Sequence, residues 1–432
     1  MSALHNIMRR GVSTTHMQPT TPSLEGPTTI SLLTGMNPSS HGITNNLMKS
    51  NNITFSFRDL NSAIDEEFWW KDVHFIWDKL TDAGKKTAVF GTELCRNSLG
   101  VLCEEDWSLH QDGENFAETL DYVTYNMSEN YLDAAFFFFK LPALTKNTRT
   151  CSEYVKNAED NLKQLDNDVL WKLIDKHFGS LPLTDVINVL IFGNRAYWKV
   201  DQVLTSLTDK LNEDLAGKVN VVNDGHSAVF LDAYLTPGIS LAKTYNELRS
   251  TSTQFSVYMK SNFPKEWHYK DGHFAAPLVI YSKNPIVLTM NKKNLESHAG
   301  CVGIEGYPGN DSRSFTLLVG AGPEFDENVK IKSVRITDVY PLICDLFNID
   351  YGEIDGKYDE IAYMLLKTPH YGGGHAAVIV VVAAIIVITS VTMVILVILR
   401  RHRVEKEYAM CIPEQVTVSR PTVVSSHATD TV

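Results

Sequence analysis

From Ala376 to Leu399 the chain reads AAVIVVVAAIIVITSVTMVILVIL, without a single charge. At about 1.5 Å rise per residue, a helix of that length crosses a hydrocarbon core of roughly 30 Å, so the sequence predicts one transmembrane helix over 376–399. Arg400, Arg401, Arg403 and Lys406 follow immediately, whereas Gly372, Gly373, Gly374 and His375 precede it. Basic flanks stay on the cytoplasmic side. The tail 400–432 is therefore expected inside, and the large N-terminal part outside, extracellular or lumenal. Asn52-Ile-Thr, Asn126-Met-Ser and Asn310-Asp-Ser are N-glycosylation acceptors compatible with that topology. The first residues, MSALHNIMRRGVSTTHM, hold no apolar leader segment, so export of this domain calls for a signal peptide upstream of them.

The membrane is one expected partner, and composition narrows the others. With 44% hydrophobic and 21% charged residues over 432 positions, the chain has material for a large core and is too apolar to be disordered. A formal net charge of −12 argues against nucleic acid, whose binders present a basic footprint. Cys95, Cys103, Cys151, Cys301, Cys344 and Cys411 show no close metal-ligand spacing. Cys411 falls inside, and the five others allow one or two disulfides with at least one thiol left over. The polar tail ends Thr429-Asp430-Thr431-Val432, a terminus that a PDZ-type domain can capture.

The segments Ala88–Gly91, Ala135–Leu141, Val186–Phe192, Pro277–Tyr281 and Ser314–Gly320 are short, β-branched or aromatic-rich and bounded by turn residues. They read as strands of a mostly parallel, buried sheet. Between two of them, Ser152–His177 spaces Tyr154, Val155, Leu162, Leu165, Val169, Leu170, Leu173 and Ile174 along one helical face. Strands alternating with helices define an α/β fold.

Leu32-Leu33-Thr34-Gly35-Met36-Asn37-Pro38-Ser39-Ser40-His41-Gly42-Ile43 resembles the nucleophile region of the type I phosphodiesterase/nucleotide pyrophosphatase family. Further collinear segments are similar to that family: Trp69-Trp70 leading to Ile76-Trp77, Phe263-Pro264-Lys265-Glu266-Trp267-His268-Tyr269, Gly320-Ala321-Gly322-Pro323-Glu324-Phe325, and Val339-Tyr340-Pro341-Leu342-Ile343-Cys344-Asp345-Leu346. The resemblance implies an alkaline-phosphatase-like, three-layer αβα sandwich. It divides the chain into an ectodomain over 1–352 whose first strand lies upstream, a stalk over 353–375, the membrane helix and the cytoplasmic tail.

Family enzymes hold two zinc ions with Asp and His ligands around a Thr nucleophile, chemistry that needs those residue types. Carried over position by position, the nucleophile falls on Glu25 and the phosphate-contacting Asn on Thr28. One Asp/His ligand pair falls on Ala143 and Asn147, a second on Asn194 and Arg195, and a last His on Glu305. Ala143 cannot bind a metal and Arg195 would repel one. No zinc is therefore expected, and the sequence reads as a noncatalytic, membrane-anchored member that binds an extracellular ligand or protein. The alternative is a residual phosphodiesterase or pyrophosphatase acting on nucleotide or phospholipid phosphodiesters. With the metals gone, Arg195 is expected to pair with Glu25, Glu305 or both. His41, the His268-Tyr269 pair, Trp69 and Trp70 are read as structural, and Phe136–Phe139 as a central strand buried on both faces.

Overall fold

The computed structural model describes residues 2–105, 113–139, 148–206, 219–222, 230–282, 287–289, 300–365 and 380–385, apart from gaps at 51–52, 58, 72, 202–203, 236 and 252–254. Eight strands form its main sheet: β1 (Gly11–Gln18), β2 (Thr87–Phe90), β3 (Val101–Glu104), β4 (Ala134–Phe138), β5 (Asn188–Gly193), β6 (Leu318–Ala321), β7 (Val329–Arg335) and β8 (Val380–Ile385). Their spatial order is β7-β1-β6-β5-β8-β4-β2-β3. Only β6 runs against its neighbours; every other described pairing in this sheet is parallel. The expected mostly parallel sheet is present, with one antiparallel strand inside it.

Helices α1 (Ser2–Arg9), α2 (Glu25–Thr34), α3 (Ile76–Asp82), α4 (Gly113–Ser128) and α5 (Cys151–Leu165) surround the parts that matter for the site. Successive side chains of a strand point to opposite faces, and the phenylalanines of β4 show what covers each one. Phe136 and Phe138 meet Trp77 of α3 edge-on, while Phe137 and Phe139 meet Phe116 of α4. One helix thus lies on each face. All five β4 residues are inaccessible to solvent, which accounts for a continuous apolar run where a one-sided sheet would alternate.

Two expectations need correction. Leu278–Ser282 is a strand, but it belongs to a separate antiparallel sheet with Val219–Val222, Phe230–Leu235 and Phe255–Met259. That sheet buries its own cluster of Val219, Leu248, Phe255, Leu278 and Ile280; an apolar run reports burial, not which sheet receives it. The stalk expected from residue 353 is in fact packed through Leu365. Asp355 and Gly356 donate backbone N–H groups to Gly35 O, and Asp355 Oδ2 accepts the N–H of Asn37. Ile361 and Met364 are fully buried, and Leu365 bridges to Phe325.

Of the apolar C-terminal run only Val380–Ile385 is described, which leaves the expected membrane helix untested. Val380–Ile385 forms β8, parallel to both β5 and β4. β-Branched apolar residues suit a strand buried on both faces as well as they suit a bilayer. The rest of 376–399, and the tail after it, lie outside the described residues. Among the described residues no helix is long and apolar enough to cross a membrane.

Candidate functional site

β1 and β5 end at the same edge of the sheet, and the loops leaving them bring the first part of the site together. After β1 the chain turns into α2, which starts at Glu25. Leu24, at the cap position, has no oxygen side chain to offer, and Asn46 Oδ1 accepts the Gly26 N–H instead at 2.7 Å. At the far end Gly35 adopts φ 69°, where a Cβ would come within 3.0 Å of the Tyr340 side chain. Directly after β5 come Asn194 and Arg195.

The second part arrives on the strand Cys301–Ile304, which ends immediately before Glu305. It pairs antiparallel with Trp198–Asp201, with Trp198 opposite Ile304. Ser23 N donates to Tyr307 O and Gly306 N donates to Ser23 O, so the approach to α2 is stitched to the residues after Glu305. The Cys151–Cys301 disulfide ties the start of that strand to the start of α5. Cys95 pairs with Cys103, and Cys344 is a buried thiol, raised to about 12 mainly by that burial. Among the described residues, two disulfides and one free thiol agree with the expected one or two disulfides and a thiol left over.

At the centre sits the Arg195 guanidinium, 1% exposed. Its Nη2 lies 2.9 Å from Glu25 Oε2 and its Nε 2.8 Å from Glu305 Oε2. The first contact reaches the rim, since Glu25 keeps 17% exposure; the second is sealed, and its approach is that of an ion pair rather than a linear hydrogen bond. Both expected pairs are thus formed by one side chain. Nη2 also donates to Tyr197 Oη at 2.8 Å, and Asn46 Nδ2 donates to Glu305 Oε1 at 3.3 Å. Burial would lower the arginine's pKa, but the Glu25 carboxylate, then Tyr197 and Glu305, reverse the shift and hold the guanidinium charged. Burial likewise pushes the Tyr197 phenol upward, so it stays neutral.

The remaining candidate positions divide. Asn194 is buried beside Arg195; its Nδ2 donates to Thr29 Oγ1 at 2.9 Å, and its Oδ1 has no hydrogen-bond partner among the described residues. The Thr28 hydroxyl is 3.0 Å from that of Thr20; Asn46 is an amide that joins the cluster. Ala143 and Asn147 lie outside the described residues, as does Asn52. Sequence reasoning missed Asn46 and Tyr197. The available signal was local and applied to Tyr197, two residues beyond Arg195; the sequence around Asn46 offered none.

His41 is structural. Its Nδ1 accepts the Ile43 N–H at 3.1 Å, which places the ring proton on Nε2, donated to Ser31 Oγ at 2.9 Å. His268 caps a short turn in the left-handed region at φ 47°, with Tyr269 fully buried beside it. Trp69 packs against Phe55, Phe68 and Phe274.

A mostly parallel sheet between helices, with its charged cluster in loops at one strand edge, defines an alkaline-phosphatase-like α/β protein with the site where open sheets place theirs. Residues 1–308 match the type I phosphodiesterase/nucleotide pyrophosphatase family, and the chain belongs to it. Among curated relatives, bis(5'-adenosyl)-triphosphatase enpp4 of Xenopus laevis is 23% identical over 356 residues, covering 81% of this chain and 74% of that protein. Ectonucleotide pyrophosphatase/phosphodiesterase family member 7 of Mus musculus is 22% identical over 377 residues, with 84% and 82% covered. Among solved structures, human ectonucleotide pyrophosphatase/phosphodiesterase 5 superposes with a TM-score of 0.69 at 19% identity, over 84% of this chain and 94% of that one. An inactive murine counterpart in complex with AMP gives 0.65 at 17%, over the same shares.

The family's zinc pair does not fit the residues present here. Glu25 and Glu305 are oxygen donors, but the guanidinium lies between them and is within ion-pair distance of both. A divalent ion would meet a fixed positive charge at contact range. No group of three or more His, Cys, Asp or Glu among the described residues could hold a metal ion.

Proposed function

We propose that this chain is a membrane-anchored, phosphodiesterase-like protein that binds an extracellular ligand or protein without hydrolysing phosphodiesters. The observation that carries the reading is the buried Arg195 between Glu25 and Glu305. Paired-metal hydrolysis needs cations to stabilise both the attacking and the leaving oxygen, and a nucleophile at the α2 start. A carboxylate at that position repels a phosphate and forms no stable ester in its place. Anchoring rests on the length of 376–399 and its arginine-rich flank. The tail residues Thr429–Val432 suit a PDZ-type partner, and Asn310, exposed in a turn, is accessible to a glycan.

The test is elemental analysis of the purified full-length protein together with turnover of a nitrophenyl nucleotide ester. We expect neither stoichiometric zinc nor turnover, and Glu25→Thr alone does not create any. Stoichiometric zinc with turnover by the unmodified chain would sink the reading. It would favour the alternative, a residual hydrolase, which has in its support the activity carried in the names of relatives such as the bis(5'-adenosyl)-triphosphatases.

A further inference from the structure

We infer that Arg195 is the resident cation of this centre: it makes the domain independent of divalent ions, and truncating it converts the centre into one that demands such an ion. The inference rests on the non-hydrolytic reading above only in taking the unmodified centre to be metal-free.

Charge is the first part of the argument. Glu25 and Glu305 each approach a different nitrogen of one guanidinium, so both carboxylates converge on the volume that this side chain fills. Glu305 is 2% exposed, so in the intact chain neighbouring side chains rather than bulk solvent balance its charge. Buried carboxylates without a partner are strongly destabilising. Removing the guanidinium therefore leaves two carboxylates facing the space that it filled.

Donor chemistry is the second part. The groups that the guanidinium touches are oxygens: the Glu25 and Glu305 carboxylates and the Tyr197 phenol. Oxygen-only sets of this kind favour hard divalent ions such as Mn²⁺ and Ca²⁺. The frame holding them does not depend on Arg195. Glu25 is fixed by α2 and the Asn46 cap, and Glu305 by the 301–304 strand, the Asn46 amide and the Cys151–Cys301 bridge.

The experiment is thermal unfolding of the full-length chain in detergent, with EDTA or with Mn²⁺ as the sole added ion. The unmodified protein is expected to melt at the same temperature in both, within about 1 °C. Arg195→Ala is expected to melt lower in EDTA and to regain about 3–4 °C at a hundredfold excess of Mn²⁺ over its dissociation constant. Arg195→Lys keeps a charge in place and should remain insensitive to the ion. Adding Glu305→Gln to Arg195→Ala should abolish the gain. Should Arg195→Ala fold only when Mn²⁺ is present, the inference stands; should it not fold at all, Arg195→Gln, which fills more of the cavity, is measured in the same way. A wild-type melting temperature that falls in EDTA overturns the inference, as does an alanine or glutamine variant whose stability ignores Mn²⁺. Failure of the non-hydrolytic reading is distinguishable, because it appears as turnover and bound zinc in the unmodified chain and not as the response of these variants.

Discussion

His41 carries the clearest acid sensitivity in the domain. Burial lowers its pKa from 6.5 to about 3, against a smaller opposing pull from Asp355. Protonation would put a second proton on Nδ1, which already accepts the Ile43 N–H. In the unfolded chain the imidazole binds a proton below about pH 6.5, whereas in the folded chain it does not until about pH 3. The unfolded state therefore binds more protons over that window, and stability falls as pH is lowered through it, by up to about 1.4 kcal/mol per pH unit from this one group. Urea unfolding at pH 7 and pH 5 measures the effect. His41→Gln, which keeps an amide of similar reach, should be less stable at pH 7 but show a flatter decline; an identical slope would assign the acid sensitivity elsewhere. The role of Arg195 was legible from sequence because each replaced position was flanked by matching residues. Asn46 was not legible, because its importance comes from folding back onto Gly26 and Glu305, which no spacing rule relates to it.

At the level of elements, the run Ser152–His177 shows what periodicity can and cannot say. A continuous apolar face predicted one helix; the structure has α5, a π-helical turn over Asp166–Leu170 and a last helical stretch Trp171–Asp175, while His177 begins a short strand. The apolar stripe survives one extra residue in a turn, so the pattern does not reveal it. The departure has a local use. Asp166, buried inside the π turn, accepts the backbone N–H groups of Ala3 and Leu4 at 3.2 and 2.9 Å, satisfying the otherwise open start of α1. A carboxylate at a helix N-terminus also meets the positive end of the helix dipole. Asp166→Ala leaves two donors without their acceptor and should destabilise by about 2–3 kcal/mol; Asp166→Asn, which keeps one acceptor oxygen, should lose less. Hydrogen exchange should show faster protection loss in α1 than in β4. Equal stability of the aspartate and alanine forms would mean that α1 is held by Leu4 and Ile7 packing alone.

For the whole molecule, the decisive question is which use the apolar C-terminal run is put to. As β8 it fills the middle of the main sheet, between two strands that are themselves fully buried. As a membrane helix it needs nearly all of 376–399. The two uses exclude each other, because the residues from 386 to 399 that follow β8 would reach only about 21 Å as a helix, short of a hydrocarbon core of roughly 30 Å. Length and hydropathy alone could not separate these uses, since both bury apolar, β-branched side chains away from water. Anchoring, as proposed, requires β8 to leave the sheet. The register offers a direct measurement, because Val381 lies opposite Ala135 in the parallel pair. Cysteines at Val381 and Ala135 should cross-link readily when the chain is kept out of a bilayer, and should stay reduced when it is inserted in vesicles with residues 400–432 protected from external protease. Efficient cross-linking in protease-protected vesicles would show that the sheet keeps β8 and that the membrane is reached by some other means.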